Sequence, residues 1–148
     1  IPLVRHLPIP MPTPRSPATA PLGKHDYERL SHFRHRLRRF LHISEVLCKK
    51  HGLTPLQYQL VLHVMGFPGR TWATVGELAE RLQTHHHGVV ALVDRCEALG
   101  LLERRPGRLD RRVVEIHLRP KGDRLLARVA TQHQDELQLL LREFASTR

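Results

Sequence analysis

Residues 74–118 read TVGELAERLQTHHHGVVALVDRCEALGLLERRPGRLDRRVVEIHL, and their apolar spacing breaks at Gln83-Thr84 and changes period at Gly100. Thr74 with Glu77 three residues on has the capping-box form, so a short helix over Val75–Leu82 is expected, with Leu78, Ala79 and Leu82 on one face. Gln83-Thr84 is the turn into a second helix, His85–Leu99. There Val89, Leu92, Val93, Cys96 and Leu99 repeat at helical spacing, while His86, His87, Val90 and Asp94 fall on the opposite side. After Gly100 the alternation becomes two-fold. Leu101–Glu103 reads as one strand and Val113–Leu118 as its antiparallel partner. Between them Arg104–Arg112 forms a hairpin tip with a Pro106-Gly107 turn and five arginines against one aspartate, Asp110. Two helices on a tight turn followed by a basic hairpin is the order of a winged helix-turn-helix.

Outward from this segment the chain is helical on both sides. Pro120 opens a long helix to about Ala145, with Leu125, Leu126, Val129, Leu137, Leu140, Leu141 and Phe144 along one face. Upstream, Leu30, Phe33, Leu37, Phe40, Leu41, Ser44 and Leu47 mark the buried stripe of another long helix, which ends at Gly52. Its other face is basic, with Arg34, Arg36, Arg38 and Arg39, and is read as a solvated surface. Thr54-Pro55 caps and starts a helix through Met65, and Thr71-Trp72-Ala73 is a short extended piece. Residues 1–22 hold seven of the 11 prolines, no acid and no periodicity, which predicts extended or disordered chain. The expected organisation is a Pro-rich extension over 1–22 and one domain over 23–148. Within that domain, 23–52 and 119–148 form the flanking helices and 53–118 the winged lobe. The fold class is mainly α with a small β-hairpin wing (α+β).

Composition narrows the function. The 148 residues carry 24 Lys+Arg against 14 Asp+Glu, a net charge of +10, and only Lys24, Lys49, Lys50 and Lys121 of those cations are lysines. Guanidinium forks phosphate oxygens as an ammonium cannot, so the excess leans toward nucleic acid, although a GC-rich genome also raises Arg over Lys. No apolar run approaches the roughly 20 residues of a membrane span, and Arg5 and His6 interrupt any signal-peptide core, so no membrane and a cytoplasmic location are expected. Cys48 and Cys96, without a Cys-x-x-Cys, are too few for a disulfide framework and are read as structural thiols. Paired carboxylates, a Ser/His/Asp arrangement and a phosphate-cradling Gly loop are all missing. An enzyme and a resident cofactor are therefore not expected.

The order of these elements resembles the MarR family of bacterial winged-helix regulators. The residues carrying the likeness are Val75-Gly76-Glu77-Leu78-Ala79, Leu92-Val93-Asp94-Arg95-Cys96-Glu97 with Gly100-Leu101, and above all Asp110-Arg111-Arg112 followed by Leu118-x-x-x-Gly122. The likeness covers roughly residues 25–146 and implies a homodimer whose terminal helices interleave and whose lobes read a palindromic operator in double-stranded DNA. Leu30, Phe33, Leu137, Leu140, Leu141 and Phe144 are the dimerisation residues this implies. Three departures stand out: Cys96 replaces an apolar residue usually Leu, Arg119 replaces a Thr or Ser cap, and Val90 and Ala91 replace hydroxyl or cationic side chains of the outward helix.

Those departures move the expected base contacts to the helix start. Thr84, His85, His86 and His87 would meet phosphates and base edges at a helix N-terminus, with Val90 against a thymine methyl. Arg108 and Arg111 suit a minor groove, Asp110 and Arg112 resemble the family's wing pair in which the carboxylate orients the guanidinium, and Arg104 is a phosphate contact. No metal site is expected, because adjacent helical histidines point about 100° apart and cannot converge on one ion. The resemblance also implies a small-molecule effector, aromatic or anionic, for which Phe40, Tyr58, His63 and Trp72 are the candidate lining. The expected function is a homodimeric repressor released by such a ligand. The alternatives are a winged protein-interaction module with non-specific DNA binding, and a metal-responsive regulator.

Overall fold

The computed structural model describes residues 20–145, so all but the last three positions of the Pro-rich segment lie outside the described residues, as does the side chain of Phe144. The elements are α1 (Lys24–Lys50), α2 (Pro55–Met65), β1 (Trp72–Thr74), α3 (Val75–Leu82), α4 (His86–Ala98), β2 (Leu102–Pro106), β3 (Val114–Leu118) and α5 (Pro120–Ala145). The caps form as the local sequence dictates. Thr54 Oγ1 accepts the Gln57 N–H while Gln57 reaches back to Thr54 N, and Thr74 with Glu77 repeats the exchange at the head of α3. The turn from α3 to α4 is made by Gln83 in the left-handed region, φ 51° and ψ 47°, with the Thr84 N–H donated to Ala79 O at 3.1 Å.

The sheet is larger than the expected hairpin. The extended piece at Trp72 pairs antiparallel with β3, giving the order β1-β3-β2 and placing β3 in the middle. Ala73 is fully buried opposite Ile116, which anchors a strand too short to announce itself by alternation. β2 also runs further than the apolar pattern suggests, because Arg104, Arg105 and Pro106 pair with Ile116, Glu115 and Val114. The wing loop therefore begins at Gly107, whose N–H is donated to Val113 O at 2.7 Å. A Cβ on Gly107 would collide with the Asp110 carbonyl, so the turn closes only on glycine.

One core joins the lobe to the long helices. Leu60, Val64, Leu78, Val89, Val93, Leu101, Leu102, Ile116 and Val129 are almost wholly buried in it. Burying each such side chain is worth about 1.5–3 kcal/mol against leaving it in water. α5 sits directly on the start of β2. Leu101 O accepts the Arg119 N–H at 2.9 Å, and a Cβ on Gly122 would run into that same carbonyl. The Leu118-x-x-x-Gly122 spacing thus has a packing cause. Arg119 caps nothing with its side chain, but Pro120 at the first helical position has no N–H to satisfy.

α1 and α5 pack on each other, but Leu30 and Leu41 of the expected α1 stripe are exposed, and Arg36 of the face read as solvated is half-buried against α5. Phe40 lies against the His133 ring at 4.3 Å, and Glu143 accepts from His32 Nε2 at 3.1 Å and Arg36 Nη2 at 3.3 Å. Among the described residues no helix is long and apolar enough to cross a membrane.

Candidate nucleic-acid interface

α4 turns Val89, Leu92, Val93 and Cys96 into the core, so its other face is fixed outward. His85 is the N-cap in extended conformation and forms no side-chain cap bond, which leaves the helix's first N–H groups open to an external acceptor. Thr84, His85, His86 and His87 are exposed and Val90 half-buried, all on that outward end. The His85 and His87 rings stack in parallel, 5.6 Å apart. Among the described residues no three His, Cys, Asp or Glu side chains come close enough to hold a metal ion.

The wing divides its arginines by role. Asp110 accepts from Arg112 three times, from the backbone N–H at 3.0 Å, Nε at 3.1 Å and Nη2 at 3.0 Å. The Arg112 side chain, and then its N–H, hold the Asp110 carboxyl below the usual aspartate range. Arg108 and Arg111 are exposed, and no side-chain ion pair occupies either guanidinium among the described residues, although Arg108 donates its N–H to Glu115. Leu109 between them is fully exposed at the tip.

Arg104, expected as a phosphate contact, is held elsewhere. Lying on β2 rather than in the loop, it spans to Asp94 and, at 3.1 Å, to Glu97 of α4. Arg105 pairs with Glu103 on its own strand.

Sequence reasoning passed over the base of the wing. Along β3 three consecutive residues, Glu115, Ile116 and His117, are all buried: Ile116 joins the core, and on the opposite face Trp72 covers His117. His117 Nε2–H is donated to Glu115 Oε1 at 2.9 Å, and Glu115 Oε2 accepts the Arg108 N–H at 3.4 Å. The His117 hydrogen bond outweighs burial and holds the Glu115 carboxyl below the ordinary glutamate range. His117 stacks on Trp72, 6.1 Å between centroids. The Arg70 guanidinium lies 3.9 Å over Trp72 and 4.2 Å over Phe67, and it pairs with Glu77, the capping residue of α3. The available signal was two polar residues at period two flanking Ile116.

The four residues read as an effector lining do not meet. Phe40 sits in a small cleft between α1 and α5 beside Arg36 and Arg39, and Tyr58 is buried in the α2 core. Trp72 is occupied by Arg70 and His117, and His63 is partly buried on α2, where burial and then Arg81 lower its affinity for a proton. Of the dimerisation set, Leu30, Leu137 and Leu141 are exposed at 50%, 40% and 49% while Leu140 is buried within the single chain. Phe33 is half-buried. Cys48 and Cys96 are buried free thiols, and desolvation pushes the Cys96 pKa up to about 11.

Residues 51–113 match the sequence pattern of the MarR family. A Bacillus subtilis protein described as an uncharacterised HTH-type transcriptional regulator, YsmB, is 37% identical over 71 residues, which is 48% of this chain; the chain spans about half of that relative (49%). Among solved structures, AbsC from Streptomyces coelicolor, a MarR family transcriptional regulator, superposes with a TM-score of 0.67 at 20% identity over 88% of this chain and 85% of its own. Apo MarR from E. coli gives 0.63 at 21% identity, over 83% and 84%. A cysteine-to-serine mutant of E. coli MarR complexed with operator DNA gives 0.61 at 18%, over 82% and 85%.

Proposed function

We propose that this chain is a member of the MarR family of winged helix-turn-helix transcriptional regulators, a homodimeric repressor that reads a palindromic operator and is released by a small aromatic or anionic ligand. The family's members regulate transcription and are not enzymes. The observation that carries the proposal is the pairing of two reading elements on one lobe: the outward His86/His87 end of α4 and the unpaired Arg108 and Arg111 of the wing. A helix end of this kind suits a major groove and the two guanidiniums an adjacent minor groove. Phosphate neutralisation by a chain of net charge +10 supplies affinity, and groove contacts supply the choice of sequence.

The helices that one copy leaves uncovered support pairing of two copies. Leu30, Leu137 and Leu141, with Tyr27, Leu41 and Val46, expose apolar surface along α1 and α5, and pairing with a second chain would bury it. For the effector, Phe40 is the part of the expected set that sits beside cations, Arg39 and the Glu143-paired Arg36, in a cleft that Glu136 also lines. Its ligand would release DNA by preferring a dimer whose lobe spacing no longer fits the half-sites.

The test is selection of bound sequences from a random duplex pool at two salt concentrations. A palindrome with half-sites about one helical turn apart, bound less tightly at higher salt, is the expected result. Enrichment of no sequence would overturn the operator reading and turn the search toward a protein partner of the lobe.

A further inference from the structure

We infer that Glu115 is a positioning residue for the wing: anchored by His117, its carboxylate holds the Arg108 N–H and so aims Arg108 and Arg111 at DNA. This rests on the DNA-binding reading above. The two side chains are buried to 4% and 8% exposure at the foot of the loop, in a strand where an apolar pair of similar volume would pack without desolvating a charge. What an apolar pair cannot do is accept a hydrogen bond. The β2–β3 ladder makes its last register pair at Pro106 and Val114, and Gly107 N still reaches Val113 O. The next N–H, that of Arg108, is taken by Glu115 Oε2.

Among the described residues the side-chain bonds of the Asp110–Arg112 pair stay within residues 110–112, so they stiffen the tip without tying it to a second element of the lobe. Glu115 does tie it, because its own partner is fixed from the other side of the sheet. His117 is paired across the strands with Trp72 and stacked on it, Trp72 lies under Arg70, and Arg70 pairs with Glu77 at the start of α3. The loop that carries the minor-groove arginines is thereby referenced to the first helix of the helix-turn-helix. A ring-and-guanidinium stack of this kind is stiff where a bare hairpin loop would swing.

Three variants test it, Glu115→Leu, Glu115→Gln and His117→Phe, with two measurements. One is amide hydrogen exchange of residues 107–113 in the free protein. The other is hydroxyl-radical footprinting on the palindromic duplex selected from the random pool. Glu115→Leu should speed exchange at Arg108 about tenfold, remove the footprint at the wing positions while leaving the central one, and weaken binding about tenfold, the loss of roughly one charge-assisted hydrogen bond. Glu115→Gln should restore all three, since its Oε1 can still accept the Arg108 N–H. His117→Phe keeps a ring over Trp72 but frees the carboxylate, and should speed Arg108 exchange in the same sense, which covers the case of a Leu variant that does not fold. With Arg108 and Arg111 both replaced by Ala, Glu115→Leu should weaken binding little further. Unchanged exchange at Arg108, or an equal loss of affinity in both backgrounds, overturns the inference. Wild-type protein that binds no duplex overturns the DNA-binding reading instead, and exchange at Arg108 in the free protein still decides whether the anchor exists.

Discussion

Arg111 and Arg112 are neighbours of identical chemistry with different surroundings. Arg112 is committed to Asp110, whereas Arg111 projects from the tip with no acidic partner among the described residues. Arg111→Ala should therefore weaken operator binding by about 1–3 kcal/mol and leave the melting temperature unchanged. Equal binding by the variant would remove the wing from recognition. The Asp110–Arg112 pair makes a separate prediction about pH. Asp110 titrates below its unfolded value in the folded chain, so its contribution to the wing is complete above about pH 4 and is lost as pH falls through the depressed value. An NMR titration of the Asp110 carboxyl should show that depressed midpoint, and Arg112→Ala should raise it toward the ordinary one. A midpoint unmoved by that substitution would mean the pair does not form in solution.

At the scale of elements, helices and their faces could be read from the sequence because apolar spacing and caps are local properties. Thr74 with Glu77 formed the box its spacing implies, and Thr54 capped α2 as expected, with Gln57 completing a box there. β1 could not be read as a sheet member, since three residues carry no period and its pairing with β3 is a contact across some forty positions. Arg104 was misplaced for a related reason. A basic run on either side of Pro-Gly looks like one loop, yet register carries the strand through Pro106 and delivers Arg104 to Asp94 and Glu97. Glu115 and His117 were passed over because buried polar residues on a central strand leave no apolar trace. The resemblance motif ending in Gly122 was visible but unexplained until the seat of α5 on Leu101 gave it a cause. Gly to Ala inside a helix ordinarily gains about 1 kcal/mol. At Gly122 the Cβ would overlap the Leu101 carbonyl, and the overlap should win, so that Gly122→Ala lowers stability by about 1–3 kcal/mol in denaturant unfolding. A stabilised variant would show that α5 does not rest on that carbonyl.

For the molecule as a whole, the apolar side chains that one chain leaves in water define the test of assembly. Leu137 and Leu141 are exposed, whereas Leu140 is packed inside the chain, so only the first two isolate pairing from folding. Leu137→Glu should give a folded monomer by light scattering, with operator affinity reduced by at least about a hundredfold because two half-sites are no longer bound at once. A dimer that survives this substitution would place the interface elsewhere.

The Arg104 clamp has a consequence for how such a pair could be controlled. One guanidinium fastened to both Asp94 and Glu97 ties β2, the strand leading into the wing, to α4. Each lobe then behaves as a two-tined fork of constant span. In the proposed dimer, an effector would then act on the distance and angle between the two forks.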